Sequence, residues 1–376
     1  MMKRPLNSRL IFVLVILGVL ATREVAVELR PSFLRPGLHL MAYVGNTSDG
    51  TLTVVDLVKL SPVATVPVGP GPSGVRAHPT RNEIWGLSSA GGYAWVLDVK
   101  TNQITVRIPV GAQPYALDFS PDGRRAYVAA SGANAVVAID CATHSVVARG
   151  RAGRRPWIAR VTPEGKTVVV SNRDDNTISL LDAVSLAPLG TIAVAPQPEQ
   201  IAILPDGSKA FISSGASNEI SVVDLRKREL LANLALGGAP ASLILKPDGG
   251  ELYVPVSDAH GLLVVNTSTN EVGDFLILGM SPTSGTLTPD AAVLYVSDSG
   301  AAHVVPVAIG VRQVQRPITV GQDPRTTMLT PGGDILLVVD AGSSDLAVIR
   351  ANTPIPRLVT LIPVGQGPRD LAIKVF

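Results

Sequence analysis

The 376-residue sequence predicts an all-β fold built from repeated four-stranded units, and three observations support this prediction. The first is the succession of short apolar runs and turn residues that recurs in each repeat. The second is that the chain both starts and ends in the middle of a repeat. The third is a proline that opens each repeat at intervals of 42 residues: Pro72, Pro114, Pro156, Pro198, Pro240, Pro282, Pro324 and, displaced by two residues, Pro368. Such a period is typical of a repeat architecture.

One repeat shows why four strands are expected. Apolar runs rich in β-branched residues occupy Tyr115–Ser120, Arg125–Ala130, Ala135–Asp140 and Ser145–Arg149, which suits a pleated, buried surface. Pro-Asp-Gly at 121–123 predicts the first turn, because Pro presets φ and Gly accepts a positive φ. The carboxylate that ends the third strand can bond the backbone two residues on and turn the chain. No stretch has a sustained helical period, which excludes a helical solenoid.

The two ends of the chain are complementary and therefore predict a closed ring. Met41–Gly69 would supply the second, third and fourth strands of one unit, and Pro368–Phe376 a lone first strand. A linear array would leave both ends as unpaired edges, whereas a ring pairs them. Radial stacking also buries both faces of every sheet, in agreement with 46% apolar residues. The sequence thus predicts a closed β-propeller of eight four-stranded blades, with seven blades as the alternative.

Three short motifs recur within this register. They are Ala-Tyr-Val at 42–44 and 126–128, Val-Val-Asp at 54–56 and 222–224, and Pro-Asp-Gly at 121–123 and 205–207. With these motifs, the chain from about Met41 onward resembles the YVTN-type β-propeller repeat family, which is surface-layer-protein-like and similar to WD40 repeats. The resemblance implies a propeller that is often seven-bladed, and a binding or scaffold role, but no definite chemistry.

The first 40 residues lie outside the repeats. Lys3, Arg4 and Arg9 precede the apolar run Leu10–Ala21, whose 12 residues are fewer than the roughly 20 that a membrane helix needs. A secretory signal peptide cleaved before Thr22 is therefore expected, and a retained membrane anchor is the alternative.

This pattern divides the chain into three parts. Residues 1–21 form the expected signal peptide, 22–40 a lead-in segment, and 41–376 a single propeller domain. We therefore expect an exported protein of the periplasm, cell surface or medium, with no membrane span in the mature chain.

Composition and missing motifs exclude several kinds of chemistry. The net charge of +2 is too small to indicate a nucleic-acid partner. Cys141 is the only cysteine, so no internal disulfide forms, and the lack of C-x-x-C-H excludes covalent c-type haem. The five histidines lack metal-ligand spacing, and H-E-x-x-H, P-loop and G-x-S-x-G motifs are missing. We predict no catalytic residue, no metal, no cofactor and a monomeric chain.

The residue after each opening proline differs between repeats, although the scaffold positions are uniform. In a four-stranded blade this position lies on the face of the loops that join strands four to one and two to three. The eight residues would then ring the mouth of the central channel, where variation on a rigid frame indicates binding. The alternative is that these residues differ through sequence drift on a solvated rim that binds nothing. The ring residues predicted to bind a ligand are Tyr115, Trp157, Glu199, Arg325 and Arg369.

An arginine-rich segment, Arg149–Trp157, adjoins this ring. Arg154 and Arg155 beside Trp157 suit an anionic or planar partner, because guanidinium groups pair with anions and stack on aromatic faces. The alternative is a solvated loop in which Asp174 and Asp175 are internal partners of these arginines.

Charged residues also recur inside the first strands. Arg76, Asp118 and Arg160 occupy one equivalent position in three successive repeats. A charge in an interior position requires a partner. We expect a structural Arg–Asp–Arg bridge here rather than a catalytic group.

Two functions from different classes remain open. The first is a non-enzymatic binding or scaffold propeller of the cell envelope that recognises a protein or other envelope ligand at the channel mouth. The second is a propeller enzyme, lactonase-like or lyase-like, with its site in that mouth. An enzyme should gather His, Glu or Asp there, and Glu199 is the only acid in the predicted ring. The sequence therefore favours binding.

Overall fold

The computed structural model describes residues 39–376, which form eight antiparallel sheets arranged in a ring. The predicted signal peptide and nearly all of the lead-in segment lie outside the described residues. The first strand begins at Leu40, one residue before the predicted start of the propeller.

Each blade contributes its strands in chain order. Blade 1 begins with β1 (Leu40–Asn46), β2 (Thr51–Asp56) and β3 (Ser61–Pro67). Blade 2 consists of β4 (Pro72–Ala77), β5 (Glu83–Ser88), β6 (Tyr93–Asp98) and β7 (Gln103–Pro109). Blade 3 consists of β8 (Pro114–Phe119), β9 (Arg125–Ala130), β10 (Ala135–Asp140) and β11 (Ser145–Arg151). Blade 4 consists of β12 (Pro156–Val161), β13 (Thr167–Asn172), β14 (Thr177–Asp182) and β15 (Pro188–Ala193).

The second half of the ring is less regular. Blade 5 consists of β16 (Pro198–Ile203), β17 (Lys209–Ser214), β18 (Glu219–Asp224) and β19 (Glu229–Ala235). Blade 6 consists of β20 (Ile244–Leu245), β21 (Glu251–Val256), β22 (Gly261–Asn266) and β23 (Glu271–Ile277). Blade 7 consists of β24 (Pro282–Leu287), β25 (Val293–Asp298), β26 (His303–Ala308), β27 (Gln313–Val314) and β28 (Ile318–Thr319). Blade 8 consists of β29 (Pro324–Leu329), β30 (Ile335–Asp340), β31 (Asp345–Arg350) and β32 (Arg357–Pro363).

The last strand, β33 (Pro368–Val375), closes the ring. It pairs antiparallel with β1, from Leu40 opposite Val375 to Asn46 opposite Pro368, and completes blade 1 in the order β3-β2-β1-β33. The prediction of a closed propeller with eight blades is confirmed, and the seven-bladed alternative is excluded. Closure gives β1 a partner, so that no blade lacks its first strand.

Helix is nearly absent from the described residues. Two short 3₁₀ helices, Ser131–Ala133 and Ile309–Val311, lie in loops. Within residues 39–376, no helix has both the length and the apolar character needed to cross a bilayer.

The turns form as the sequence predicts. Asp140 ends β10, and its Oδ1 accepts hydrogen bonds from the backbone N–H groups of Ala142 (3.0 Å) and Thr143 (2.8 Å). Gly123 closes the Pro-Asp-Gly turn with a φ of +68°, in the region that favours glycine. These local bonds fix where each strand ends and so keep the blades in one register.

Adjacent blades are held together by side chains packed between the sheets. The large residue of each second strand, such as Trp85 or Phe211, is fully buried against the neighbouring blade. Tyr127 also donates its hydroxyl to the carbonyl of Ala183 in blade 4, at 2.7 Å. Burial of apolar area, with polar tips satisfied across the blade interface, supplies the main stabilisation.

The first strands of the blades line the channel and position the site. All of them except β20 start at their opening proline at the mouth, and in most the pairing register shifts just after that proline, as between Pro114 and Ala116. A bulge re-aims side chains locally. The first few residues of these strands therefore form the wall of the mouth.

Candidate functional site at the channel mouth

A cavity of about 440 Å³ lies at the mouth of the channel and is bordered by residues of six blades. We call it the mouth cavity. Its charged and aromatic lining residues are Arg76, Tyr115, Arg160, Arg325, Arg369 and Asp370. The topology brings them together because each lies within the first five residues of an inner strand.

An aromatic pair forms one wall of this region. The rings of Tyr115 and Trp157 stack with centroids 3.6 Å apart and planes inclined by 26°. Tyr115 is 37% exposed and borders the mouth cavity. Burial raises the pKa of its hydroxyl, and the carboxylates of Asp370 and Glu199 act in the same direction. Tyr115 therefore presents a neutral, flat surface to a ligand.

Guanidinium groups surround the other partner of the pair. The guanidinium carbon of Arg173 lies 4.8 Å from the Trp157 ring centroid, and that of Arg155 lies 5.6 Å away. Arg173 is fixed by an ion pair with Glu199, at 2.9 Å. Cation–π contacts of this kind contribute about 0.5–1 kcal/mol at exposed positions. Glu199 thus holds a cation against the aromatic wall.

Deeper in the channel, Asp118 joins two blades. Its Oδ1 accepts from Arg160 Nη1 at 3.3 Å, and its Oδ2 accepts from the backbone N–H of Val161 at 3.3 Å. Both carboxylate oxygens therefore have partners in blade 4. This contact lies where the sequence predicts an ion bridge.

Arg76 does not join that pair. Within the described part of the chain it forms no ion pair, and its one hydrogen bond runs from Nη1 to the carbonyl of Val75, at 2.9 Å. Burial lowers the pKa of Arg76, the nearby carboxylate of Asp370 opposes this, and the positive charge of Arg160 lowers it further. Arg76 thus keeps guanidinium donors that no described protein group engages.

Asp370 was not singled out from the sequence. Its Oδ2 accepts from the backbone N–H of Gly74 at 2.8 Å, which ties β33 to β4. Burial raises the pKa of the Asp370 carboxyl, and the charge of Arg76 opposes that rise. Its signal in the sequence was a charge two residues after an opening proline, a position that is uncharged in the other seven repeats.

The arginine-rich segment lies beside the mouth cavity but does not line it. Arg154 pairs with Asp175, Nε to Oδ1 at 2.5 Å, and is 70% exposed. Arg155 Nη1 lies 3.8 Å from Asp174 Oδ1. The aspartates are therefore internal partners of these two arginines.

The two remaining ring arginines differ from each other. Arg325 Nε pairs with Asp323 Oδ1 at 2.8 Å. Arg369 is exposed and forms no ion pair among residues 39–376. Both border the mouth cavity and add positive charge to its rim.

A larger cavity, of about 630 Å³, opens on the opposite face between blades 7 and 8. Its lining includes Thr288, Asp290, Tyr295 and Asn352, and it contains no Arg, Lys or His. Size alone does not identify a site, whereas convergent polar groups of defined geometry do. We therefore regard the mouth cavity as the candidate site.

Metal binding has no support in the described residues. Across residues 39–376, no group of three or more His, Cys, Asp or Glu side chains is placed to hold a metal ion. Cys141 is buried, and burial raises the pKa of its thiol to about 12, so it is not a reactive thiolate.

Comparisons with known proteins agree on the fold and say less about function. A family described as the Choice-of-anchor I domain matches residues 87–240, less than half of the chain. The search of curated proteins found none that is detectably similar to this chain. The YVTN-type resemblance remains a prediction.

Two solved structures illustrate the likeness in fold. Dihydro-heme d1 dehydrogenase NirN, solved in complex with DHE, has a TM-score of 0.76 at 17% identity, over 91% of this chain and 76% of that one. Hydrazine synthase of Kuenenia stuttgartiensis has a TM-score of 0.62 at 19% identity, over 75% of this chain and 96% of that one. At such identities the likeness shows the propeller fold alone.

Proposed function

We propose that this protein is a non-enzymatic binding propeller of the cell envelope that captures its ligand in the mouth cavity. The observation that carries the proposal is the Tyr115–Trp157 stack, with Tyr115 facing a cavity whose other walls hold guanidinium groups. A flat apolar surface beside fixed cations can take both the planar and the anionic parts of a ligand.

Two further observations support the envelope location. The description of the matched family refers to anchoring, which fits a protein held at the cell surface. The basic start and short apolar run of residues 1–21 are typical of an export signal. The protein would then fold outside the cytoplasm as a monomer and present the mouth to an envelope protein or smaller ligand.

Tryptophan fluorescence offers a direct test, because one of the three tryptophans is at the site. Trp85 and Trp95 are both 0% exposed, whereas Trp157 is partly exposed beside the mouth cavity. Fractions of an envelope extract are titrated into the full chain. A fraction that contains the ligand should change the Trp157 emission and protect it from acrylamide quenching.

The variants that make this test specific are Tyr115→Ala combined with Arg369→Ala. Both side chains are exposed, so folding should change by no more than about 0.5–1 kcal/mol. The double variant should lose the emission change. A matched control on the opposite face, Arg124→Ala with Lys227→Ala, should keep it. If the control loses the response and the mouth variant keeps it, the proposed face is wrong.

A lactonase-like or lyase-like enzyme is the second candidate, and one observation favours it. Asp370, a carboxyl whose burial raises its pKa, lies in the same cavity as Tyr115. A protonated carboxyl near a bound ligand can act as a general acid. Asp370→Asn keeps an oxygen for Gly74 N–H. If ligand is consumed by the native chain, and Asp370→Asn binds without consuming it, the protein is an enzyme.

A further inference from the structure

We infer that the mouth cavity is a site for a small aromatic carboxylate, whose carboxylate group binds Arg76 and whose ring lies against Tyr115. This inference rests on the proposed location of the site and names the class of ligand. It follows from four features of the cavity: its unequal supply of donors and acceptors, its like charges, its size and its aromatic wall.

The two carboxylates of the channel wall already accept hydrogen bonds from neighbouring blades. The two carboxylate oxygens of Asp118 accept hydrogen bonds from Arg160 and from the backbone of Val161, and Asp370 Oδ2 accepts one from the backbone of Gly74. A cationic ligand would compete with these bonds, which join neighbouring blades. The wall therefore offers little to a cation.

Several guanidinium donors of the wall, in contrast, have no protein partner. A guanidinium group has five N–H donors, and Arg76 commits one nitrogen, Nη1, to the carbonyl of Val75. Arg369 also lacks an ion pair within the described residues. A group left with unused donors in a half-buried wall is stabilised by an acceptor that arrives with the ligand.

The positive charges of the cavity lining also favour a ligand that brings an acceptor. The described lining of the cavity contains four arginines and one carboxylate: Arg76, Arg160, Arg325, Arg369 and Asp370. An anion that binds near these guanidinium groups relieves the repulsion that the single carboxylate leaves. The charge pattern of the wall thus selects an anion over a neutral ligand.

The size and shape of the mouth cavity narrow the class of ligand further. A volume of about 440 Å³ is within the range of small-molecule sites and too small for a folded partner. The planar guanidinium fork matches a planar carboxylate through two parallel hydrogen bonds. The exposed face of Tyr115 then accepts an aromatic ring attached to that carboxylate, because aromatic pairs prefer offset stacking.

The test uses four defined probes on the full chain, by isothermal titration calorimetry and Trp157 emission. Benzoate carries both predicted features. Cyclohexanecarboxylate lacks the aromatic ring, inorganic phosphate lacks the ring and the planar carboxylate, and benzylamine has the opposite charge. We expect benzoate to bind, cyclohexanecarboxylate to bind more weakly, and phosphate and benzylamine not to compete with benzoate.

Substitution of Arg76 tests the donor. Arg76→Gln should weaken benzoate binding by about tenfold or more, and Arg76→Lys by less, since Lys keeps the charge and loses the fork. Thr286→Ala, at the equivalent position in blade 7, is the matched control and should leave the benzoate affinity unchanged. If Arg76→Gln does not fold, Arg76→Lys together with Tyr115→Ala carries the test.

Several outcomes would overturn the inference. They are failure of benzoate to bind at millimolar concentrations, equal competition by phosphate or benzylamine, and an unchanged affinity in the Arg76 variants. The experiments distinguish a failure of this inference from a failure of the proposed function. An envelope ligand that depends on Tyr115 and Arg369 while benzoate does not bind would leave that function standing without this ligand class.

Discussion

The inner strands of blades 1–4 and those of blades 5–8 hold equivalent positions around one channel but differ in charge. Four residues after the opening proline, blades 2–4 carry Arg76, Asp118 and Arg160, and blade 1 adds Asp370 two residues after its own proline. At the fourth position, blades 5–8 carry uncharged residues only: Ala202, Ile244, Thr286 and Met328. At the rim, directly after the proline, blades 5 and 8 also carry charges, Glu199 and Arg325. The names charged half, for blades 1–4, and neutral half, for blades 5–8, therefore refer to the channel below this rim.

The two halves also join their inner strands in different ways. In the charged half, carboxylates accept from the backbone of the next strand, as Asp370 does from Gly74 at 2.8 Å. In the neutral half, hydroxyls donate to backbone carbonyls, as Thr326 Oγ1 does to Arg369 O at 2.6 Å. The neutral half shows that inner strands can be joined without buried charge. Charges below the rim of the channel are expensive to desolvate, so their confinement to one half supports the proposed binding role.

The largest predicted effect comes from removing the strand at which the charged half begins. Deletion of Pro368–Phe376 removes β33, leaves β1 without its partner and takes Asp370 out of the channel. An open sheet edge promotes association between chains, and the lost blade interface removes several kcal/mol of stability. We expect aggregation or a greatly lowered melting temperature, measured by calorimetry and light scattering. An unchanged melting temperature would mean that β33 contributes nothing to closure.

The next largest predicted effect is a pH dependence of stability that arises from a buried acidic pair in the neutral half, Asp340 and Asp345. Asp340 is 0% exposed, and burial, followed by the hydrogen bond and charge of Asp345, raises its pKa to about 9. An unfolded Asp titrates near 3.9, so between these values the folded state binds a proton that the unfolded state has lost. Stability should therefore fall as pH rises through this window, by up to about 1.4 kcal/mol per pH unit.

Asp340→Asn should remove this dependence, because an amide donates to Asp345 without titrating. We expect a flatter stability profile between about pH 5 and pH 8, and a variant more stable than the native chain at the upper end. Asp298→Asn is the control at the equivalent position, where the carboxylate accepts from Met280 N and Ser281 N at 2.8 and 2.7 Å. The same slope in Asp340→Asn as in the native chain would mean that no proton is held there.

A smaller predicted effect on stability allows the two halves to be compared directly. Asp118→Ala leaves Arg160 without its ion-pair partner and Val161 N–H without an acceptor. Loss of one partner of a buried pair costs about 3–5 kcal/mol, and we expect about 2 here because the two side chains are 26% and 32% exposed. Thr286→Ala, at the equivalent position of the neutral half, should cost no more than about 1 kcal/mol. Chemical denaturation measures both, and equal costs would remove the distinction between the halves.

The repeat register explains why the fold was predictable. A strand, turn or blade is specified locally, by residues such as the Asp140 that caps its own turn, and the same chemistry recurs every 42 residues. Closure followed from the complementary ends of the chain. Both predictions needed only short-range patterns repeated many times.

The site was less predictable because it depends on departures from the repeat. Tyr115, Arg325 and Arg369 were found at a variable position, and all three border the mouth cavity. Asp370 was missed because its position is charged only in the displaced last repeat, and its partner Gly74 lies 296 residues away. Arg76 was assigned to a bridge, but which neighbour a long side chain meets depends on the bulges at the strand starts.

The smallest predicted effect lies outside both halves of the channel, at the arginine-rich segment. Arg154 pairs with Asp175 through Nε but is 70% exposed, and its backbone N–H also donates to Asp175 Oδ2. Arg154→Ala removes only the side-chain contact, and the backbone bond continues to hold the loop. Exposed ion pairs contribute about 0.2–1 kcal/mol and weaken with salt. We therefore expect at most a marginal loss of stability in denaturant unfolding at low salt, and a smaller one at high salt. Benzoate affinity and the Trp157 response should not change, because Arg154 does not line the mouth cavity. If Arg154→Ala weakened binding as much as Arg76→Gln, the binding surface would extend from the charged half onto this loop, and charge in the channel would no longer account for recognition.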